Sequence, residues 1–396
     1  MNKPLIFFAS ALLIVLASCE RNSDEPLQEQ ELALIENSDG AVIEGQYVVL
    51  LTEGATSLKS TRSSYEAARE MMRSEAQSIL KASGIPEKEP LQVYAASTEG
   101  FAISLSKEEA LELEKNPKVL GVWPDKMVVL AKPAPNPTPV PAQVTPYGIA
   151  RVGGGTTYTG TRKAWIIDTG IDLDHPDLNV DVASGKTFVA RTKSPDDDNG
   201  HGSHCAGIVA AVNNSIGVVG VAAGAKVVPV KVLDRKGSGA MSVILAGVDY
   251  VIANGVAGDA VNMSLGGGAY DPLDIKVEDM GAKGLLVALA AGNEADDANT
   301  HSPARANGNN IYTVSACNNL DVWASFSNYG NPPIDFCAPG VSILSTYKGG
   351  ALATMSGTSM AAPHVCGVLL ATGGNPHSDG VVINDPDGDP DPIVHK

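Results

Sequence analysis

Three short stretches carry residues suited to one reaction: Asp168 in IIDTGID, His201 in DDDNGHGSHCAG and Ser359 in SGTSMAAPHV. Hydrolysis through a hydroxyl nucleophile needs a base to take its proton, and a carboxylate to fix that base's tautomer and steady its cation. Asp-Thr-Gly also carries the carboxylate of aspartic proteases. That chemistry needs two carboxylates sharing a proton, and the chain has no second Asp-Thr-Gly or Asp-Ser-Gly, so only a homodimer would complete the dyad. His201, His204 and Cys205 could instead be read as zinc ligands, but no further ligand run joins them. His364 reads as a packed helix residue.

Ser359 stands at a turn leading into a small-residue helix. Its hydroxyl and its own N–H are therefore expected at a helix N-terminus, where negative charge is favoured. Pro363 is expected in the first turn, where a missing N–H costs little. The surroundings are not Gly-x-Ser-x-Gly, which argues against a lipase-type nucleophile elbow. Asn293, in ALAAGNE, has an amide able to aim two donors at a developing oxyanion, although an Asn after Gly is by default a turn residue.

The elements that must position these groups fall into two sets. Residues 44–130 read strand, helix, strand, strand, helix, strand, a ferredoxin-like α+β order, with Ser106-Lys107-Glu108-Glu109 as a capping box. Residues 131–145, AKPAPNPTPVPAQVT, form a proline-rich, extended and cleavable linker. From 146 to 372, apolar runs without polar alternation (KAWIID, KVVPVKVL, AVNMSLG, LLVALAAG, IYTVSA) alternate with helical stretches. That pattern predicts a doubly wound α/β domain with a mostly parallel sheet. Ligands bind outside the carboxyl ends of such strands, where Asp168 and Asn293 fall. Residues 373–396 are rich in Asp, Pro and Gly and read as an acidic, solvated tail.

The 396 residues suffice for two or three domains, with 44% hydrophobic and 18% charged residues, as in soluble globular proteins. The net charge of −17 argues against nucleic acid as a partner. A basic start and an apolar run from Leu5 to Ala17 read as an export signal, 1–19. Leu16-Ala17-Ser18-Cys19 looks like a bacterial lipobox, with Cys19 the lipidated residue and 20–43 a polar tether. The plainer alternative is a signal peptide with an incidental cysteine. Cys205, Cys317, Cys337 and Cys366 remain; export permits disulfides, and all three connectivities stay open.

Taken together, IIDTGID, HGSHCAG, SLGGG, SFSNYG, SILST and SGTSMAAPHV resemble the subtilisin-like serine proteases (subtilases), nearest the proteinase K branch. The Asp–His–Ser chain order is the subtilisin order. The resemblance covers about 145–372, and 44–130 resembles the family's inhibitory propeptide. It implies a catalytic Asp168, His201 and Ser359 with Asn293 as oxyanion donor, and a structural role for His204. It also implies an edge strand at Gly237, Ser238 and Gly239 that pairs with an extended peptide. Ser264, Leu265, Gly266 and Ala290, Ala291, Gly292 would wall the specificity pocket, with His301 near its floor and an apolar preference at the residue before the scissile bond. No cofactor is required for the chemistry; Asp335 aligns with a family calcium ligand, and NDPDGDPDP resembles half an EF-hand loop without its closing glutamate. Relatives usually continue with more helix and strand after the serine, so the last residues either substitute for those elements or leave the domain minimal.

The expected protein is thus an exported, monomeric serine endopeptidase made as an autoprocessed zymogen and held at the cell envelope by its lipid, or released from it after processing. Its partners would be polypeptide substrates, its own propeptide and the membrane. The rival is a non-catalytic surface lipoprotein that keeps the fold for binding.

Overall fold

A computed structural model describes residues 39–56, 64–130 and 141–396. The segments expected to be the signal and the lipobox, most of the expected tether and most of the proline-rich linker lie outside the described residues. Among the described residues, no helix is long and apolar enough to cross a membrane.

The N-terminal unit runs β1 (Val42–Leu51), α1 (Tyr65–Ala82), β2 (Gln92–Tyr94), β3 (Gly100–Ser104), α2 (Lys107–Leu113) and β4 (Val119–Val129). Its strands pair antiparallel in the order β4-β1-β3-β2. Helix α1 starts where Ser64 Oγ accepts from Ala67 N at 3.3 Å, and it buries Met72, Ala76, Ile79 and Leu80 at helical spacing. The capping box at Ser106 and Glu109 forms with both its hydrogen bonds, 2.7 and 3.2 Å. A fifth strand joins this sheet from the other unit: Ser238–Ala240 pairs with Met127–Val129.

The second unit is built on a nine-stranded sheet. Its order is His377–Val381, Pro392–His395, Ile334–Pro339, Ile311–Cys317, Leu286–Ala290, Ala260–Met263, Ala164–Asp168, Val227–Lys231 and Lys186–Thr187. All neighbours are parallel except the first pair. Helices α3 (His201–Ala210) and α6 (Thr358–Thr372) cover one face, packing on Ile166, Ala288 and Val314. Helices α4 (Met241–Asn254) and α5 (Asp271–Ala282) cover the other, on Trp165, Ile167, Val261 and Val287. Successive residues of one strand thus enter opposite cores. The second core also takes in Val48, Leu50, Tyr94 and Val128, so the N-terminal unit is packed on the second unit over an apolar face.

The C-terminal segment departs from the solvated tail expected. Residues Pro392–His395 form a strand whose Ile393 pairs in parallel with Cys337, and Ile393 and Val394 are buried. Asp391 is only 1% exposed and accepts from Ser315 Oγ. The short apolar run PIV extends the sheet, with His377–Val381 paired beyond it at the edge, where relatives were expected to add further elements.

Candidate active site

Asp168 ends the buried strand Ala164–Asp168, and His201 opens α3. The two meet because the N-terminus of α3 is pressed on the turn after Asp168. A Cβ at Gly202 would stand 2.1 Å from Gly170 O, so only glycine fits there. His201 Nδ1 lies 2.9 Å from both Oδ1 and Oδ2 of Asp168. Burial by itself would depress the imidazole; the Asp168 carboxylate outweighs it, with a smaller contribution from Cys205, and holds the ring well above its ordinary pKa of 6.5.

Asp197, also buried, ties this pair together. Its carboxylate accepts from Thr169 Oγ1 on the Asp168 side, and from Asn199 N, Gly200 N, Ser203 N and Ser203 Oγ on the His201 side. Thr169 Oγ1 in turn accepts from Gly202 N at 2.9 Å. Sequence reading passed over Asp197, although its signal was the acidic run directly before the histidine.

Ser359 is the second residue of α6 and lines one cavity of about 310 Å³ with His201, Asn293, Ser264, Leu265, Gly266, Ala290, Ala291 and Gly292. Its hydroxyl donates to Ser264 O at 3.2 Å. Pro363 lies beyond the first turn expected for it, in the helix interior. It therefore withholds the N–H that would bond Ser359 O four residues back. That carbonyl accepts from Ser264 Oγ at 2.8 Å and Cys205 Sγ at 3.4 Å instead.

Asn293 is oriented by Thr358, whose N–H and hydroxyl bond Asn293 Oδ1 at 2.8 and 3.1 Å. With the oxygen so engaged, the Nδ2 hydrogens are what the amide has left to donate. His301 joins the lining, flanked by Glu294 at 3.8 Å and Asp296 at 3.7 Å. Glu294, which the sequence reading did not single out, adds a carboxylate to a pocket expected to be apolar.

The other candidates are placed elsewhere. His204 Nε2 faces the carbonyls of Ile343 and Ala353 at 3.1 and 3.0 Å, and burial pulls its pKa to about 3, so it does not converge with His201 on a metal. His364 is packed, with Nδ1 on Met360 O at 2.8 Å and a pKa pulled by burial to about 4. All four cysteines among the described residues are buried and unbridged. Asp335 accepts from Thr313 N at 2.9 Å, and burial raises it to about 6. Among the described residues, the one group of three or more His, Cys, Asp or Glu side chains close enough to share an ion is Asp168, His201 and Cys205, and Asp335 is not part of it.

The edge strand expected to receive a peptide is occupied. Ser238, Gly239 and Ala240 pair antiparallel with Val129, Val128 and Met127, and Leu130 N donates to Gly237 O at 2.9 Å. Gly239 permits this packing, since a Cβ there would stand 2.5 Å from Val232 O. Residues 165–377 match the model of the Subtilase family. The chain belongs to that family. This subtilase also matches the Peptidase inhibitor I9 model over 46–131. It is 34% identical over 371 residues to the Extracellular serine proteinase of Thermus sp. (strain Rt41A), covering 90% of this chain and 86% of that one. Proteinase R of Parengyodontium album is 33% identical with the same coverage. Subtilisin NAT of Bacillus subtilis subsp. natto is 41% identical over 276 residues, 67% of this chain and 68% of that one. A solved cold adapted subtilisin-like serine proteinase superposes with a TM-score of 0.56 at 33% identity, covering 63% of this chain and 97% of that one. This subtilase is a serine-type peptidase that carries an I9-type pro-domain.

Proposed function

We propose that the chain is the zymogen of an endopeptidase acting through Asp168, His201 and Ser359, and that it cuts its own linker within 131–145. Neutral His201 takes the proton of Ser359 once the hydroxyl turns from Ser264 O toward the ring, and the oxygen attacks a peptide carbonyl. Asp168 steadies the imidazolium. Asn293 Nδ2 and the Ser359 N–H, which has no acceptor inside the first turn of α6, hold the oxyanion. The imidazolium then protonates the leaving amine, and water hydrolyses the acyl-enzyme by the same route.

The observation that carries this reading is the Asp168–His201 pair, in contact through both carboxylate oxygens and facing a cavity shared with Ser359 and Asn293. The substrate class is an extended peptide laid beside Ser238–Ala240, since the pro-domain strand Met127–Val129 occupies that edge by β-pairing. The same pairing supports a blocked cleft before processing. The lipobox at Cys19 supports export and attachment of the N-terminal segment to the envelope membrane by a lipid.

The test is the full chain with Ser359→Ala. It should accumulate uncut, while wild type yields a fragment beginning within 131–145. Equal processing of the two would refute self-cleavage.

A further inference from the structure

Lys186 lies on the short edge strand of the large sheet and takes no part in lining the cleft cavity. Its ammonium stands 5.9 Å from the ring centre of Tyr65, 5.3 Å from that of Tyr250 and 6.0 Å from that of Phe188, and it pairs with the Glu66 carboxylate. Lys186, Phe188 and Tyr250 belong to the catalytic unit, whereas Tyr65 and Glu66 open α1 of the pro-domain. Tyr65 also meets Tyr250 edge-on, ring centres 5.5 Å apart, and Arg69 lies 5.8 Å over the Tyr65 ring. One cation is thus shared by rings from both units and neutralised from the pro-domain side.

Neither Tyr65 nor Glu66 belongs to the pro-domain's own core, which is built from residues such as Val49, Met72, Ile79, Phe101 and Leu113. Their contacts serve docking rather than folding of the pro-domain. The strand Met127–Leu130 is held differently, largely by backbone pairing that any extended substrate can compete for. Once the linker is cut, that hold is replaceable.

We propose that Lys186, with Phe188 and Tyr250, is a docking site outside the cleft that acts beside the apolar face under Val48, Leu50 and Tyr94 and keeps the severed pro-domain seated by the aromatic–acidic start of α1. The partner it fits is a helix N-terminus presenting an aromatic ring followed by a carboxylate. The proposal rests on the zymogen reading and adds to it what sets the residence of the pro-domain after cleavage. Glu66 is largely exposed, so the ion pair weakens with salt.

The experiment follows three events in the full chain: the cut, retention of the pro-domain by size-exclusion chromatography, and appearance of peptidase activity. It compares wild type with Glu66→Gln and Lys186→Met at low and high salt. Both variants should be cut at the wild-type rate and reach the same final kcat/KM, but lose the pro-domain about five- to tenfold faster. High salt should hasten loss in wild type and have less effect in Glu66→Gln. Unchanged retention in both variants, with normal cutting and activity, overturns the proposal and leaves the zymogen reading standing. A wild-type chain that is never cut overturns the zymogen reading instead. The site is then judged on the uncut chain by hydrogen exchange in the first turn of α1: faster exchange in Glu66→Gln supports it, and unchanged protection refutes it.

Discussion

Pro363 stands four residues after Ser359 in α6 and has no N–H to give that residue's carbonyl, which is held by Ser264 Oγ and Cys205 Sγ. The proline thus frees the carbonyl of the proposed nucleophile and hands it to residues from two other segments. Ser264→Ala should leave that carbonyl poorly satisfied, at a cost of about 1–3 kcal/mol, seen as a lower Tm and about a tenfold lower kcat. Adding Pro363→Ala restores an intrahelical donor and should recover much of the lost Tm. No recovery in the double variant would show that the carbonyl is not the source of the loss.

Asn293 is held at its oxygen by Thr358, which leaves the amide hydrogens as donors. Asn293→Ala should lower kcat by on the order of 10²- to 10³-fold with little change in KM, a magnitude taken from subtilisin itself. Thr358→Val keeps the backbone bond and loses the hydroxyl; its loss should be smaller, about tenfold. Steady-state kinetics on a short peptide substrate decides both.

The pH dependence follows from the Asp168–His201 contact. In the proposed mechanism the ring is the base only when neutral, and its pKa is held above 6.5 despite burial. Activity should therefore rise with pH through that elevated value and favour the alkaline side. In Asp168→Asn the burial remains and the opposing carboxylate is gone, so the acid limb of kcat/KM should move to lower pH while kcat falls about 10⁴-fold. An acid limb that stays in place would contradict this assignment of the shift.

Asp197 joins the loop of Asp168 to the helix of His201 through five hydrogen bonds. Asp197→Asn replaces an acceptor facing Ser203 N with a donor. It should reduce kcat by about ten- to a hundredfold while KM stays near wild type, because the peptide edge at Ser238–Ala240 is untouched. A loss confined to KM would argue against positioning.

Asp391 is buried, and burial raises it to about 6 from an ordinary 3.8. A carboxyl raised on folding binds more protons folded than unfolded, so its contribution to stability is lost as pH climbs from about 4 through about 6. Asp391→Asn should raise Tm at pH near 8 and leave it unchanged near pH 4. A lower Tm at the higher pH would mean that the ionised carboxylate is needed there.

Much of the site was legible because its residues sit where local patterns end. Asp168 follows an apolar run that could only be a buried strand, and His201 follows glycine in a segment of small residues that folds as α3. The Ser106 capping box and the strand order of the pro-domain were equally local. What escaped came from contacts between distant segments. Ser264 behind Ser359, Thr358 on Asn293 and the Lys186 cage depend on crossovers that bring separate strands together. The strand Pro392–His395 was missed because three apolar residues among Asp and Pro carry no periodicity, and their partner Cys337 is remote in sequence.

The central claim is that His201, backed by Asp168, activates the hydroxyl of Ser359. It is tested most directly by treating the processed protein with a fluorophosphonate probe and mapping the adduct by mass spectrometry. One adduct on Ser359, lost in His201→Ala, is the expected result. A folded, processed protein with no adduct, or with one on a different serine, would contradict the assignment.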